Sequence, residues 1–292
     1  MKILIIGKNG QVGSSLVSNA TTKHISYAAT NRSELDITNQ NAVESFFKSH
    51  HDFDFIINTA AYTQVDAAEN DVDAARATNH LAVQYLAEAA KKYNIPLIHI
   101  STDYVFDGEK PTAYNEEDIT NPKNVYGQTK LEGENVLKHT WKKHIILRVS
   151  WVFSEFGKNF VKTIAQLYDK KDTFSVVSDQ TGSPTSARSI AQAIIAICKK
   201  LYKNPNAENY WGVYHYSDFP SSNWHQLASY VVIQKIKKTD SIKEVRPIEG
   251  KDYPTVAQRP KNSNLNTFKI KKNFGIEQKL WTTEVERIIK VL

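Results

Sequence analysis

A chain of 292 residues, 41% hydrophobic and 23% charged, can bury one large core with a smaller appendage and has an ordinary globular composition. Its net charge of +6 is scattered in short clusters such as Lys235-Ile236-Lys237-Lys238 and Lys269-Ile270-Lys271-Lys272, without the basic stripe or module that marks a nucleic-acid partner. The one cysteine, Cys198, excludes an internal disulfide, and no apolar run suits a membrane span or a signal segment, so the expected compartment is the cytoplasm.

Apolar runs then alternate with amphipathic stretches, the pattern of repeated strand–helix units. Lys2 to Ile6 reads as a buried strand, and Gln11 to Asn19 as the helix behind it. A weaker strand at Ile25 to Ala28 precedes a helix from Asn39 to Ser49, begun by an Asn cap. Phe53 to Asn58 is a third strand, followed by a long helix from Val72 to Tyr93. Ile95 to Ile100 is the fourth strand, with Pro96 at its entrance, where a missing N–H is tolerated. A helix within Asn124 to Lys138, a strand at Ile145 to Val149 and a helix from Lys158 to Lys170 complete the series. Five such steps predict an α/β fold, a doubly wound parallel (Rossmann) sheet over residues 1–171. After Asp172 the rhythm loosens into short strands near Phe174, Gly212 and Val245 and helices near Ser186, Trp224 and Trp281. Residues 172–292 are therefore expected to form mainly a smaller substrate-binding lobe, with the chain free to cross between the two.

Gly7-Lys8-Asn9-Gly10-Gln11-Val12-Gly13 follows the first strand and opens a helix. Such glycines allow a tight turn and close backbone approach to a pyrophosphate, while the helix start at Gln11 and Val12 offers free N–H groups to anions. The spacing is Gly-x-x-Gly-x-x-Gly. No acidic residue ends the second strand to bind a ribose 2′-hydroxyl; Arg32 stands there instead, which leans towards NADPH, with NADH as the other option. Asp36 and Ile37 follow, to meet the adenine or, for Asp36, to cap the next helix.

Tyr126 and Lys130 lie four apart, on one face of a helix. An ammonium beside the phenol is expected to lower its pKa and make Tyr126 a general acid–base. Ser101-Thr102-Asp103-Tyr104 ends the fourth strand, where open α/β sheets hold ligands, and the Thr102 hydroxyl is suited to polarise a carbonyl.

Together these motifs resemble the extended short-chain dehydrogenase/reductase superfamily, whose Ser/Thr–Tyr–Lys roles the resemblance carries onto Thr102, Tyr126 and Lys130. A finer resemblance, to the dTDP-4-dehydrorhamnose reductase family, runs over nearly the whole chain. It is carried by the stretches Asn58 to Asp66, Ser101 to Gly108, Leu147 to Phe153 and Asp179 to Thr185, with Arg259-Pro260 near the end. It implies hydride transfer from NADPH or NADH to C4 of dTDP-4-dehydro-β-L-rhamnose. It further implies that Ala60, Ala61 and Thr63 line the dinucleotide, and that Val65, Asp103, Tyr104 and Trp151 face the sugar. Arg259 suits the diphosphate, with a structural ion pair as its rival role.

Some members of that family dimerise through a magnesium site built from glutamates, where this chain has Ser15 and Arg188. The expectation is therefore no bound metal, and a monomer or weak homodimer. A 4,6-dehydratase is disfavoured because Tyr104, not glutamate, follows Asp103. A sugar-nucleotide epimerase, and a non-catalytic NADP-binding subunit like the regulatory subunit of methionine adenosyltransferase, stay open.

Overall fold

Strand Lys2–Ile6 (β1) is apolar on both faces because it lies between two helical layers. Ile3 and Ile5 point into one core, Leu4 and Ile6 into the other. The computed structural model describes residues 1–205, 208–239 and 243–292. Five more strands join β1: Ser26–Thr30 (β2), Phe55–Asn58 (β3), Leu97–Thr102 (β4), His144–Val149 (β5) and Gly212–Tyr216 (β6). All pair in parallel, in the order β6-β5-β4-β3-β1-β2.

Helices Gln11–Thr22 (α1) and Ala187–Lys203 (α6) bury Leu16, Ile190, Ile194 and Cys198 on one face. Helices Gln40–Ser49 (α2), Ala82–Lys92 (α3) and Val125–Thr140 (α4) bury Phe47, Leu86 and Leu137 on the other. The sheet is thus doubly wound, and β6 and α6 bring the later half of the chain back onto it.

The sixth parallel strand pairs Gly212↔Ile145 through Tyr216↔Val149. Strand ends differ from the sequence expectation by a residue or two because register with a neighbour sets them. For example, β2 runs to Thr30 because Thr30 partners Ile6. The expected helix from Val72 to Tyr93 is helical, but widens into a π turn at Ala77–Leu81. There Asn79 turns inward, accepting from the Tyr62 N–H at 2.9 Å and donating to Thr129 Oγ1 at 3.1 Å. Such bulges are frequent at functional sites.

Helices Phe160–Lys170 (α5), Trp224–Thr239 (α7) and Trp281–Val291 (α8) form the lobe beyond the carboxyl ends of the strands. Val161, Ile164, Leu227, Val231, Val285 and Ile288 share a separate core. Short ladders stitch it together. Thr173–Val177 pairs in parallel with Glu244–Ile248, and Thr181–Gly182 pairs antiparallel with Ser222–Asn223.

Candidate active site

Strand order reverses direction between β1 and β3, and the crevice outside their carboxyl ends is where such sheets bind ligands. A cleft of about 880 Å³ opens there and runs to the lobe. Gly7 leaves β1 at φ +90°, and a Cβ on it would stand 2.8 Å from Ala60 N, so the two loops meet only because the side chain is absent. Gly10 starts α1 with no side-chain cap, leaving the first-turn N–H groups facing the cleft. Gly7, Gly10, Gln11 and Val12 line the cleft, as do Ala60, Ala61 and Thr63. Gly13 lies behind the loop, not on the cleft wall; a Cβ there would fall 2.1 Å from Gly7 O. Its place is helix-to-loop packing.

Arg32, Asp36 and Ile37 border the far end of the cleft. Asp36 Oδ1 accepts from the Thr38 N–H and hydroxyl at 3.0 and 2.6 Å, and these bonds hold its carboxyl below the usual range. The cap of α2 is Asn39, which accepts from Ala42 N. Arg32 is 80% exposed and lies 3.4 Å from Asp36.

Asn124 caps α4 by accepting from Gly127 N, and donates to Gln258 O, so the helix start is tied to the segment carrying Arg259. A Cβ on Gly127 would fall 2.2 Å from Tyr104 O, and this close approach brings Tyr126 against Thr102. Thr102 Oγ1 donates to Asp103 Oδ1 at 3.0 Å and accepts from Tyr104 N at 3.2 Å. Burial pushes Asp103 up to about 6.

The expected lowering of the Tyr126 pKa is not what the geometry produces. Burial raises it, opposed by the nearby Thr102 hydroxyl, while Lys130 is turned to other partners. Lys130 Nζ donates to Ile100 O at 2.6 Å and lies 3.1 Å from His99 Nε2. A strand carbonyl satisfies the buried amine, and burial brings its pKa down to about 8.

Val65, Asp103, Tyr104, Trp151 and Arg259 all line the lobe end of the cleft. Arg259 donates to Asp66 Oδ2 at 2.6 Å and to the Tyr104 hydroxyl at 3.2 Å, so its guanidinium is held at the wall by an ion pair. Trp151, at φ +45°, stacks on Trp224 with ring centres 3.5 Å apart. Gly182 backs this ring; a Cβ on it would fall 2.4 Å from Trp151 Cε2. Phe160, Trp224 and Leu227 also line the cleft, though in sequence they read as the apolar faces of α5 and α7.

A family model described as the RmlD substrate binding domain matches residues 1–292. The chain is 41% identical over 290 residues to a dTDP-4-dehydrorhamnose reductase of Aggregatibacter actinomycetemcomitans, covering 98% of each chain. The chain belongs to the dTDP-4-dehydrorhamnose reductase family. Solved members of this family superpose closely. The Clostridium acetobutylicum reductase is 35% identical with a TM-score of 0.90, covering 100% of this chain and 99% of that one. The Bacillus anthracis reductase, solved in complex with NADP, is 31% identical with the same TM-score and coverage.

Ser15 is buried and Arg188 lies 3.7 Å from Glu284. Among the described residues no group of three or more His, Cys, Asp or Glu could hold a metal, and no helix is long and apolar enough to cross a membrane.

Proposed function

We propose that the protein reduces the 4-keto group of dTDP-4-dehydro-β-L-rhamnose to give dTDP-L-rhamnose, with NADPH or NADH as hydride donor, in the cytoplasm. One observation carries this reading: Thr102 and Tyr126 lie near one another on the wall of the cleft that the glycine loop borders.

The residues present fit a dinucleotide. The uncapped start of α1 suits a pyrophosphate, and Gly7 lets the glycine loop close against the loop after β3 so that both border one cleft. Gly10, Gln11, Val12, Ala60, Ala61 and Thr63 would hold it, with Ile37 and Asp36 towards the adenine. Arg32, free to reorient at the surface, would meet a 2′-phosphate. The NADP bound in the Bacillus anthracis reductase supports that preference. When bound, the cofactor supplies the hydride to the sugar carbon.

Tyr126 would then donate its proton to the nascent alkoxide oxygen. Its raised pKa keeps the proton in place at neutral pH, and an alkoxide is the stronger base. Thr102 would orient the keto oxygen, and Lys130 would reach the nicotinamide ribose. Val65, Asp103, Tyr104 and Trp151 would contact the sugar, while Arg259 would contact the diphosphate through parallel N–H groups. The Arg188–Glu284 pair supports a monomer or weak homodimer without a bridging metal.

The test follows nicotinamide absorbance with dTDP-4-dehydrorhamnose and a UDP analogue, using NADPH and then NADH. One NADPH consumed per dTDP-sugar reduced is the expected result. Conversion without net consumption would make the protein an epimerase. Binding without oxidation, together with co-purification of a synthetase, would make it a regulatory subunit.

A further inference from the structure

Behind Lys130 a chain of buried polar groups runs across the sheet, from β3 through β4 to α4. Ala60 N donates to Asn58 Oδ1 at 3.1 Å. Asn58 Nδ2 lies 3.1 Å from His99 Nδ1, and His99 Nε2 lies 3.1 Å from Lys130 Nζ. Asn58 and His99 are both fully buried. No water can therefore stand in for a missing partner, and each contact must pair a donor with an acceptor.

The direction of the chain follows from its first link. A backbone N–H can only donate, so the Asn58 atom beside Ala60 N is the oxygen, and the amide NH₂ is turned to His99. His99 Nδ1 must then accept. A neutral imidazole has one donor and one acceptor, so its hydrogen sits on Nε2 and points at Lys130 Nζ. An ammonium has no lone pair to receive it; a neutral amine has one, and still donates to Ile100 O.

We propose that Asn58 and His99 are positioning residues that dock Lys130 as a neutral amine in the resting protein, and that Lys130 takes a proton from solvent when it leaves His99 for the dinucleotide. This second step rests on the function proposed above; the docked state does not.

The surroundings agree. Burial brings the lysine pKa down to about 8, so the neutral amine is the main form above that pH, and Glu134 on the same helix opposes this. Glu134 is itself held by Arg148 of β5 and Ser101 of β4. Burial keeps His99 neutral. In the charged state of Lys130, His99 would have to accept at both nitrogens, or Asn58 would have to flip and strand the Ala60 N–H at the cleft wall. Lysine charge and an N–H of the loop after β3 are thereby coupled.

Nitrogen NMR of the intact, histidine-labelled protein reads the tautomer directly, with the His99 signals assigned by their loss in His99→Gln. The expected result without cofactor, above about pH 8, is an unprotonated Nδ1 and a protonated Nε2. The Nδ1–H tautomer in the native protein would overturn the proposal. Asn58→Asp keeps an acceptor for Ala60 N but removes the amide donor, so it should move the hydrogen to Nδ1; an unmoved tautomer would show that Asn58 does not set it. Calorimetry of NADPH binding in two buffers of different ionisation heat should show uptake approaching one proton above about pH 8. That uptake should vanish in Lys130→Met. Binding without uptake in the native protein would mean that the docked lysine is already charged. If NADPH does not bind at all, the proposed function fails, while the tautomer still decides the docked state.

Discussion

Glu134 and Arg148 meet as a two-pronged ion pair in the interior, Nε to Oε1 at 2.8 Å and Nη2 to Oε2 at 2.7 Å, both side chains at most 2% exposed. Ser101, next to Thr102, donates to the same carboxylate at 2.6 Å, so the pair ties α4 to the strand ends that carry the site. Glu134→Gln leaves a buried guanidinium without its counter-charge. It should cost about 3–5 kcal/mol of stability, read as a lower midpoint in urea denaturation. An unchanged midpoint would show that the pair is dispensable.

The same carboxylate gives a pH dependence with a definite sign. Against the penalty of burial, Arg148 holds Glu134 down at about 2, below its ordinary 4.5. The folded state therefore binds this proton less readily than the unfolded chain. The stability it contributes is complete above about pH 4.5 and lost as pH falls towards 2. Denaturation midpoints across that window should slope downwards with acid, and the slope should be shallower in Glu134→Gln.

Tyr126→Phe removes the proposed proton donor and leaves the ring. NADPH affinity should hold, while turnover drops about a hundredfold or more. Single-turnover hydride transfer measures it, and native-like rates would remove the phenol from the chemistry.

Gly182→Ala should push the Trp151 ring off its stack with Trp224, because the new methyl overlaps the indole. KM for the sugar nucleotide should rise about tenfold, with NADPH affinity unchanged. A KM that stays put would mean that the indole does not face the substrate.

Arg259→Ala should weaken substrate binding roughly tenfold to a hundredfold, the worth of a charge-assisted contact. Titration with dTDP alone separates a diphosphate contact from a structural one. If dTDP binds the variant as well as the native protein, the arginine serves only Asp66 and Tyr104.

Much of this architecture was legible before any coordinates. A short apolar run such as Lys2 to Ile6, closed by glycine, reads as a buried strand, and glycines between such a strand and an amphipathic helix mark a turn that approaches a ligand. These are local properties, and chain order alone carries them. Direction and partnership are not local. Four residues of spacing put Tyr126 and Lys130 on one helical face, yet the amine reaches back to Ile100 and His99 because β4 passes beneath it. Gly13 belongs to the motif but packs against Gly7, and the ring that stacks on Trp151 at the cleft, Trp224, comes from the lobe. Sequence set the elements and the kinds of chemistry; the fold decided which groups touch, because burial and pairing depend on residues dozens of positions away.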